Sequence, residues 1–308
     1  MENIETQQQT PVDIKKKKVS YSQYSTWFNC SRKYFLDYIK GLRTYEDSIN
    51  TCFGSAIHEA LQCYLKALYT QGAEIADSLD VKQIFVDDFN KELLKLKKED
   101  GTLLYSEEQY KEFLYNGDDI ISTFLNSANR LKYFPRNKYE FIGIELPLEM
   151  EIRNNVLFVA FIDLILKEKD TGKYKIFDFK TSSMGWNQHQ RNDPSKLAQL
   201  LLYKAFYSKQ FNVPLDKIEV EFFILKRNLY ENCSFPQSRI QPFAPTQNKP
   251  AVTKTLNDFI EFLDQCFNED GNYKLDGYYP KNPGKAKKNC KYCKYYKTEH
   301  CDGKEEKD

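Results

Sequence analysis

The chain has 308 residues, 41% of them hydrophobic, and contains 22 Tyr and 22 Phe, which is enough apolar material for a large core and excludes wholesale disorder. Its 45 Lys and Arg nearly balance 44 Asp and Glu, so any nucleic-acid binding must come from local clusters and not from a global basic field. No run approaches the roughly 18 apolar residues of a membrane span, so we expect no membrane association.

The chain is predicted to form one domain with short tails. Residues 1–18 are polar, end in four lysines and lack the apolar core of a signal peptide, so we expect a disordered basic tail. Eight cysteines without a secretion signal favour a reducing cytoplasm. No Pro/Gly/Ser-rich linker interrupts residues 19–302, and 303–308 are expected to fray. The domain divides into a helical part, a part with a sheet and a helix, and a C-terminal part: 19–135, 136–230 and 231–302.

The helical part repeats apolar side chains at helical intervals. After Ser20 or Ser22 as N-cap, residues 21–39 carry aromatic side chains at this spacing, which predicts one or two helices. Three further segments fit the same spacing: 53–69, 81–96 and 107–132.

From residue 139 the pattern changes to that of extended strands. Arg-Asn-Asn and Lys-Asp-Thr-Gly turn signals separate three such segments, which predicts an antiparallel meander over 139–152, 155–168 and 173–182. The rest of the chain reads as a helix, a strand, a loop and a helix in order: 194–211, 217–227, 228–250 and 251–268. No G-x-x-x-x-G-K-[ST] loop occurs, which argues against a built-in ATP motor.

Two of the predicted strands carry charged residues in apolar surroundings. Asp163 lies in FVAFIDLIL, where an unpaired charge is costly, and Asp178 and Lys180 lie two apart in KYKIFDFKTS and so share one face. Adjacent strands bring the two aspartates close together, and their carboxylates repel unless a cation lies between them. A divalent metal would supply that cation. The alternatives are a buried salt bridge between Asp163 and Lys180, or strand ends that are open to water.

Four motifs follow one another in the chain: G-x-x-x-H on a helix, an Asp in a strand, D-x-K, and Q-x-x-x-Y on a later helix. They comprise Gly54 to His58, Asp163, Asp178 to Lys180, and Gln199 to Tyr203. Together they resemble the RecB-like branch of the PD-(D/E)xK nucleases, which includes the nuclease domains of RecB- and AddB-type helicase-nucleases and the CRISPR-associated adaptation nucleases. The resemblance spans about 20 to 301. It implies an α/β restriction-endonuclease-like core with a mixed central sheet flanked by helices, a helical N-terminal part and a cysteine-rich C-terminal segment.

This resemblance implies a metal centre. A divalent ion, Mg²⁺ or Mn²⁺, would be held by three side chains and one backbone carbonyl: those of His58, Asp163, Asp178 and Phe179. Lys180 beside the ion would orient the attacking water or offset developing negative charge. An imidazole ligand suits Mn²⁺ better than Mg²⁺. Taken alone, His58 also fits an ordinary helix histidine.

Several residues around this centre have a less specific interpretation. By the resemblance, Gln199 and Tyr203 flank the site and bind nucleic acid, whereas on an amphipathic helix such a pair is usually one wet and one packed residue. Glu145 is a weak further candidate, because Glu149 and Glu151 share its strand parity and a solvated acidic face explains all three. Ala160 stands where the family usually has Gly, a change that should leave the metal site intact.

The tail contains three closely spaced thiols among lysines, Cys290, Cys293 and Cys301, which favours metal binding over core packing. Cys30 matches the upstream cysteine of iron-sulfur members of this branch, so the resemblance implies a [4Fe-4S] cluster held by the four. The last gap is longer than usual, which makes His300 an alternative ligand, and a structural Zn²⁺ is the alternative metal. Either metal would act as a staple that closes most of the chain into a loop.

The other cysteines have apolar neighbours and are read as small core residues: Cys52, Cys63, Cys233 and Cys266. Around the tail cysteines, seven lysines between 281 and 297 are interleaved with tyrosines. Such a run is usually a solvated face, but here it also fits a track for single-stranded DNA, with Lys288 and Lys291 on phosphates and tyrosines on unstacked bases. The tyrosines are Tyr292, Tyr295 and Tyr296.

The sequence thus predicts a metal-dependent DNA nuclease, an exonuclease on single-stranded DNA or DNA ends in recombination, repair or replication. A helicase or recombination protein is a candidate partner, and the expected setting is the cytoplasm of a bacterium, an archaeon or a phage-infected cell. The alternative is a nuclease-fold subunit that binds DNA or a partner without cleaving it. The intact trio of Asp163, Asp178 and Lys180 argues against that alternative.

Overall fold

A mixed β-sheet with helices on both faces forms the core of the molecule. The computed structural model describes residues 16–44, 47–98 and 100–304, and these contain six paired strands. The strands are β1 Lys17–Val19, β2 Tyr139–Arg153, β3 Val156–Glu168, β4 Tyr174–Ser182, β5 Ile218–Lys226 and β6 Ile240–Phe243. This arrangement confirms the predicted α/β class with a mixed central sheet flanked by helices.

The sheet is arranged around β3. Along one edge β3 pairs with β2, antiparallel and over its whole length. Along the other edge it pairs with β1 at 156–158 and with β4 at 164–167. Between these stretches, residues 159–163 have no strand partner on that edge in the described part of the chain, and we call this opening the sheet gap. The antiparallel β2–β3–β4 meander is as predicted, and β4 then pairs in parallel with β5.

The helices form two layers. They are α1 Tyr21–Asn29, α2 Ser31–Tyr34, α3 Ile49–Thr70, α4 Ala73–Ser78, α5 Val81–Leu93, α6 Glu107–Leu125, α7 Ser127–Tyr133, α8 Gln188–Arg191, α9 Pro194–Phe211 and α10 Lys249–Cys266, with a short π-helix at Phe35–Ile39. Helices α3, α5 and α6 cover one face of the sheet, and α1, α9 and α10 cover the other. Strand β5 serves both cores, because Phe222 and Phe223 point to opposite faces.

Local sequence fixes the two helices that face the sheet gap. Helix α3 begins after a capping box in which the Ser48 hydroxyl accepts from Thr51 N and the Thr51 hydroxyl accepts from Ser48 N, four residues before the predicted start. Helix α9 begins with Pro194, as the sequence pattern predicted, and the Asp193 side chain caps its first turn. The first helix carries His58 and the second carries Gln199.

The structure differs from the sequence pattern at two short strands. Residues 1–15 and 305–308, which hold most of the predicted basic tail and frayed end, lie outside the described residues. Lys17 and Lys18, predicted to be disordered, pair with β3 instead, because β3 offers a free edge there. Strand β6 lies within a predicted loop, where Pro242 breaks the strand pattern on a sheet edge. None of the helices in the described ranges has the length and apolar character of a membrane span.

Candidate functional site

The predicted aspartates meet where β3 and β4 separate. Leu164–Phe177 is the last paired position between these strands, and Asp163 and Asp178 follow it on either side of the sheet gap. The backbone amide of Phe179 donates to Asp163 Oδ2 at 2.6 Å, so a side chain replaces the missing ladder bond. Asp163 is therefore held against β4 by its carboxylate.

Asp178 lies at the bottom of the gap with only 3% of its surface exposed. Its Oδ1 accepts a hydrogen bond from Gln199 Nε2 at 2.7 Å. Its Oδ2 is enclosed and accepts no hydrogen bond from the described residues, although the Lys180 ammonium lies 2.7 Å from it as an ion pair. Lys180 therefore forms an ion pair with Asp178, and the alternative of a buried Asp163–Lys180 salt bridge is wrong.

His58 reaches the gap from helix α3. Its Nδ1 lies 3.7 Å from Asp163 Oδ2, and its ring packs edge-on against the Phe179 ring. Burial, together with the nearby Lys180 ammonium, lowers the pKa of His58 to about 4, against the opposing influence of Asp178, Glu145 and the Phe179 backbone. The imidazole is therefore neutral near pH 7, which is the form that binds metal ions.

The surroundings of both aspartates disfavour the charged form of their carboxyl groups. Burial raises the pKa of Asp163 to about 6, and the Lys180 ammonium and the Phe179 amide only partly offset this. Burial likewise raises the pKa of Asp178 to about 6, with Lys180 opposing and the Asp163 carboxylate reinforcing the shift. Two carboxylates with raised pKa values in one opening favour an additional cation.

The donor groups at the gap are of the kinds that divalent metal ions bind in proteins. They comprise two carboxylates, a neutral imidazole and the Phe179 carbonyl, which faces the same edge of β4 as the Phe179 amide. The Asp178 oxygen that lacks a hydrogen bond is a further indication. Across the described ranges, no group of three or more His, Cys, Asp or Glu side chains takes an arrangement that could hold a metal ion.

Gln199 and Tyr203 lie side by side on helix α9 beneath Asp178. They are 8% and 6% exposed, so the alternative of one wet and one packed residue does not apply. Gln199 Nε2 is 3.0 Å from the Tyr203 hydroxyl as well as 2.7 Å from Asp178 Oδ1. These contacts orient the Asp178 carboxylate. Nucleic-acid binding by this pair stays a prediction.

Glu145 lies closer to Asp163 than the sequence pattern indicates. It lies on β2 between the pairs Ile144–Leu164 and Leu146–Ile162, opposite Asp163, and Gln62 Nε2 donates to its Oε1 at 2.6 Å. Strand parity gave no reason to separate it from Glu149 and Glu151. Its register with Asp163 becomes visible only once the strands are paired.

The sequence matches the model of a known protein family. The family model of the PD-(D/E)XK nuclease superfamily matches residues 18–298. The chain belongs to the PD-(D/E)XK nuclease superfamily. The six-stranded mixed sheet is consistent with the restriction-endonuclease-like fold of that superfamily. Its members are nucleases that generally use Mg²⁺ or Mn²⁺ and act on DNA, so the chain is a nuclease-type hydrolase by membership.

No curated protein matches the chain. The crystal structure of SSO0001 is similar at 13% sequence identity, with 86% of this chain and 91% of that chain covered. The TM-score of that match is 0.28.

In this superfamily member the four predicted cysteine ligands line one small cavity, although Cys30 lies far from the others in the chain. Burial raises the pKa of Cys290, and the neighbouring Cys293, Cys301 and Cys30 raise it further. The amide of Asn282 approaches Cys30 Sγ at 3.4 Å. The alternative ligand His300 lies beside Glu299 instead, with Nε2 3.6 Å from Oε1.

The segment 280–303, here called the cysteine segment, is attached to the N-terminal helices by hydrogen bonds. Asn289 Nδ2 donates to the carbonyl of Asn29 at 2.8 Å, and Ser31 Oγ donates to the carbonyl of Pro280 at 3.1 Å. The Tyr295 hydroxyl donates to Asp37 Oδ1 at 2.8 Å. The predicted docking of the chain's end against its beginning is therefore present in the polypeptide itself.

Only part of the predicted DNA track is accessible. Lys288 and Lys291 are exposed, and Tyr292 is 87% exposed. Tyr295 is 4% exposed and bonded to Asp37, so the prediction that it stacks on bases is wrong. Tyr296 is half-buried and packs close to the Gly303 backbone.

The remaining cysteines are mostly core residues. Cys52 and Cys266 are buried, as predicted, and Cys63 is half-buried with Sγ close to Glu59. Cys233 is exposed, so its assignment to the core is wrong. It lies in the loop between β5 and β6.

Proposed function

We propose that this protein is a metal-dependent deoxyribonuclease of the RecB-like branch, an exonuclease that acts on single-stranded DNA or DNA ends in recombination, repair or replication. The observation that supports it best is the convergence of His58, Asp163 and Asp178 at the sheet gap, with Lys180 alongside. Their ionisation states fit the chemistry, since the imidazole is neutral and the carboxylates lack a sufficient counter-charge.

His58, Asp163, Asp178 and the Phe179 carbonyl would hold the Mg²⁺ or Mn²⁺. When bound, the ion supplies charge neutralisation at the phosphodiester and a lower pKa for the attacking water. The protein residues fix the ligands: the Phe179 amide holds Asp163 in place, and Gln199 holds Asp178. Lys180, which is 32% exposed at its side chain, orients water or offsets the negative charge that develops on the phosphate.

We place the DNA track along the cysteine segment. Exposed Lys288 and Lys291 supply cations for phosphates, and Tyr292 offers an exposed ring on which an unstacked base can lie. Lys291 Nζ lies 5.2 Å from the centre of the Tyr292 ring, so cation and ring are presented together. Gln199 and Tyr203 would contribute to binding of the DNA strand indirectly, because they hold the Asp178 carboxylate in position. A helicase or recombination protein is the proposed partner class.

We further propose that Cys30, Cys290, Cys293 and Cys301 hold a [4Fe-4S] cluster. Their shared cavity supports this set over one that contains His300. A protein purified without oxygen should be brown, with visible iron-thiolate absorption and about four iron and four sulfide per chain. A colourless protein with one tightly bound zinc per chain would instead establish the structural Zn²⁺ alternative.

The activity is tested with labelled linear and circular single-stranded DNA of equal length. Degradation of the linear strand with Mg²⁺ or Mn²⁺, its arrest by EDTA and survival of the circle are the expected results. Strands blocked at the 5′ or the 3′ end give the polarity. Binding of both substrates without metal-dependent cleavage would overturn the proposal in favour of a non-cleaving subunit.

A further inference from the structure

The carboxyl ends of β4 and β5 carry an arginine that has no role in the proposed metal site. These strands are parallel, and their pairing continues past β4, because the Arg227 amide donates to the Ser182 carbonyl at 2.8 Å. The Arg227 side chain packs among rings of the core on the α3 face, the face from which His58 reaches the gap. In α/β sheets, ligands bind outside the carboxyl ends of parallel strands.

Two aromatic rings and one hydroxyl hold the Arg227 guanidinium. Its central carbon lies 4.1 Å from the centre of the Phe113 ring on α6 and 5.9 Å from that of the Phe53 ring on α3. Its Nη2 donates to Ser183 Oγ at 2.9 Å. A planar cation stacked in this way is already oriented before a ligand arrives, so little side-chain entropy is lost on binding.

No described side chain balances the charge of this guanidinium. Among the described residues, Nη1 has no hydrogen-bond partner and no carboxylate forms an ion pair with Arg227. Burial lowers the pKa of Arg227, and the Glu112 carboxylate only partly opposes this effect. The neighbouring Arg239, by contrast, pairs with Asp119 at 2.5 Å. An enclosed cationic donor without a partner is costly, which favours an anion from outside the chain.

An anion can approach Arg227 from the side of Ser183. Arg227 is half-buried, whereas Ser183 is exposed. Because the Ser183 hydroxyl accepts from Arg227 Nη2, its own proton is available to a ligand. The guanidinium and this hydroxyl together offer the charge and the donors that a phosphate group requires.

Helix α3 relates this position to the proposed metal site. Phe53, against which the guanidinium packs, and His58 both lie on α3, about 7.5 Å apart along the helix axis. A DNA strand rises about 3.4 Å per nucleotide in B-form and more when it is extended, so phosphates one or two nucleotides apart span this distance. A strand with one phosphate at the metal site therefore presents a neighbouring phosphate to Arg227.

We propose that Arg227, with Ser183, forms a second phosphate subsite that holds the DNA backbone one or two nucleotides from the scissile phosphodiester. This inference rests on the proposed nuclease function and deepens it, because it assigns the group that guides the strand on the α3 face. Arg227 binds the strand and makes no contact with the reacting atoms.

DNA binding without turnover tests the subsite. Fluorescence anisotropy with labelled oligothymidylate gives Kd over a range of salt concentrations, in EDTA and again in Ca²⁺. The neutral variants Arg227→Gln and Arg227→Met are compared with wild type, so that loss of fold in one leaves the other. Both should bind about tenfold more weakly, and the slope of log Kd against log salt should fall by about 0.7 to 1.

Two further variants separate charge from packing. Arg227→Lys keeps the charge, so it should retain the wild-type salt slope with a smaller loss of affinity. Arg136→Met is the matched control and should bind like wild type. Arg136 is exposed, and its carbonyl accepts from Lys169 in the β3–β4 turn, at the opposite end of β4.

Cleavage kinetics distinguish strand binding from a structural role. With Mn²⁺, Arg227→Gln should raise KM about tenfold and leave kcat within about twofold, because the reacting atoms keep their surroundings. A lower kcat with unchanged KM would overturn the subsite. Oligothymidylates with and without a terminal phosphate should lose the same factor. A loss confined to the phosphorylated strand would overturn the backbone assignment in favour of a terminal phosphate.

The inference and the nuclease proposal fail in different ways. Folded Arg227→Gln and Arg227→Met with wild-type Kd and salt slope would overturn the subsite and leave the proposed nuclease intact. A wild-type protein that binds no oligothymidylate in either condition would overturn both. Circular dichroism of each variant verifies that the fold is retained.

Discussion

The sheet gap and the cysteine segment contain the residues of the two proposed metal sites, but different structures hold these residues. At the gap, Asp163 and Asp178 lie on paired strands and each accepts a hydrogen bond from a fixed donor. In the cysteine segment the thiols lie on turns and isolated bridges, and Cys30 lies at the junction of α1 and α2. Paired strands therefore position the residues of the first proposed site, whereas the residues of the second come from remote parts of the chain that lie against each other.

The largest expected difference comes from Asp178→Asn. Loss of a ligand carboxylate should lower DNA cleavage at least about a thousandfold. The free energy of unfolding of this variant should instead increase. Because the folded pKa of about 6 lies above the ordinary value, the buried charge costs stability above pH 6 and nothing below about pH 4. In EDTA at pH 8 the variant should therefore be more stable to urea by about 1–2 kcal/mol. A variant that is less stable than wild type under these conditions would contradict the electrostatic account of the gap.

Proton competition should weaken metal binding at the gap. Asp163 and Asp178 both have pKa values raised to about 6 and must be ionised to bind Mn²⁺. From pH 7 to pH 5 the apparent Mn²⁺ affinity should fall about 10- to 100-fold. Titration calorimetry in two buffers of different ionisation enthalpy measures both the affinity and the released protons. An affinity that is constant over this range would mean that these carboxylates are not the ligands.

A smaller effect is expected from Gln199→Ala. The variant removes the donor to Asp178 Oδ1 but leaves every proposed ligand in place, so Mn²⁺ affinity should fall about tenfold. Gln188→Ala is the matched control, because Gln188 lies on the surface helix α8. Equal metal affinities for the two variants would show that Gln199 does not position the carboxylate.

Cys293→Ser should separate the two regions. Loss of a cluster ligand should remove the visible absorption and lower the melting temperature by about 10 °C, since the staple between Cys30 and the tail is lost. Cleavage at 25 °C should stay within about tenfold of wild type, because the sheet gap keeps its own contacts. Cys233→Ser, which changes an exposed thiol, is the control. A thousandfold loss of cleavage in Cys293→Ser with a folded protein would show that the two sites are not independent.

The sequence predicted the elements that have strong periodicity. The β2–β3–β4 meander follows from alternation and turn signals, and α9 follows from its Pro194 start. The sequence pattern does not predict the short strands β1 and β6. Lysines in β1 and Pro242 in β6 are atypical of strands, and each segment is ordered by pairing with a neighbouring strand. The strand propensity of a segment carries no information about whether another strand offers it a free edge.

Candidate residues that belong to a motif are visible in the sequence, whereas candidates that depend on strand pairing are not. His58, Asp163, Asp178 and Lys180 stand out by their spacing and order. Glu145 required the β2–β3 register and the contact with Gln62 from another layer. Tyr295 likewise bonds Asp37, which is distant in the chain, so its burial was not visible in the lysine-rich run.

The most direct test of the central claim is cleavage of labelled single-stranded DNA by Lys180→Ala in the presence of Mn²⁺. Lys180 contacts the proposed ligand Asp178, whereas Lys173 on the same hairpin pairs with Glu219 away from the gap, so Lys173→Ala is the control. We predict that Lys180→Ala keeps its fold and DNA affinity but loses cleavage about a thousandfold, while the control retains wild-type activity. Wild-type cleavage by folded Lys180→Ala would contradict the assignment of the sheet gap as the active site.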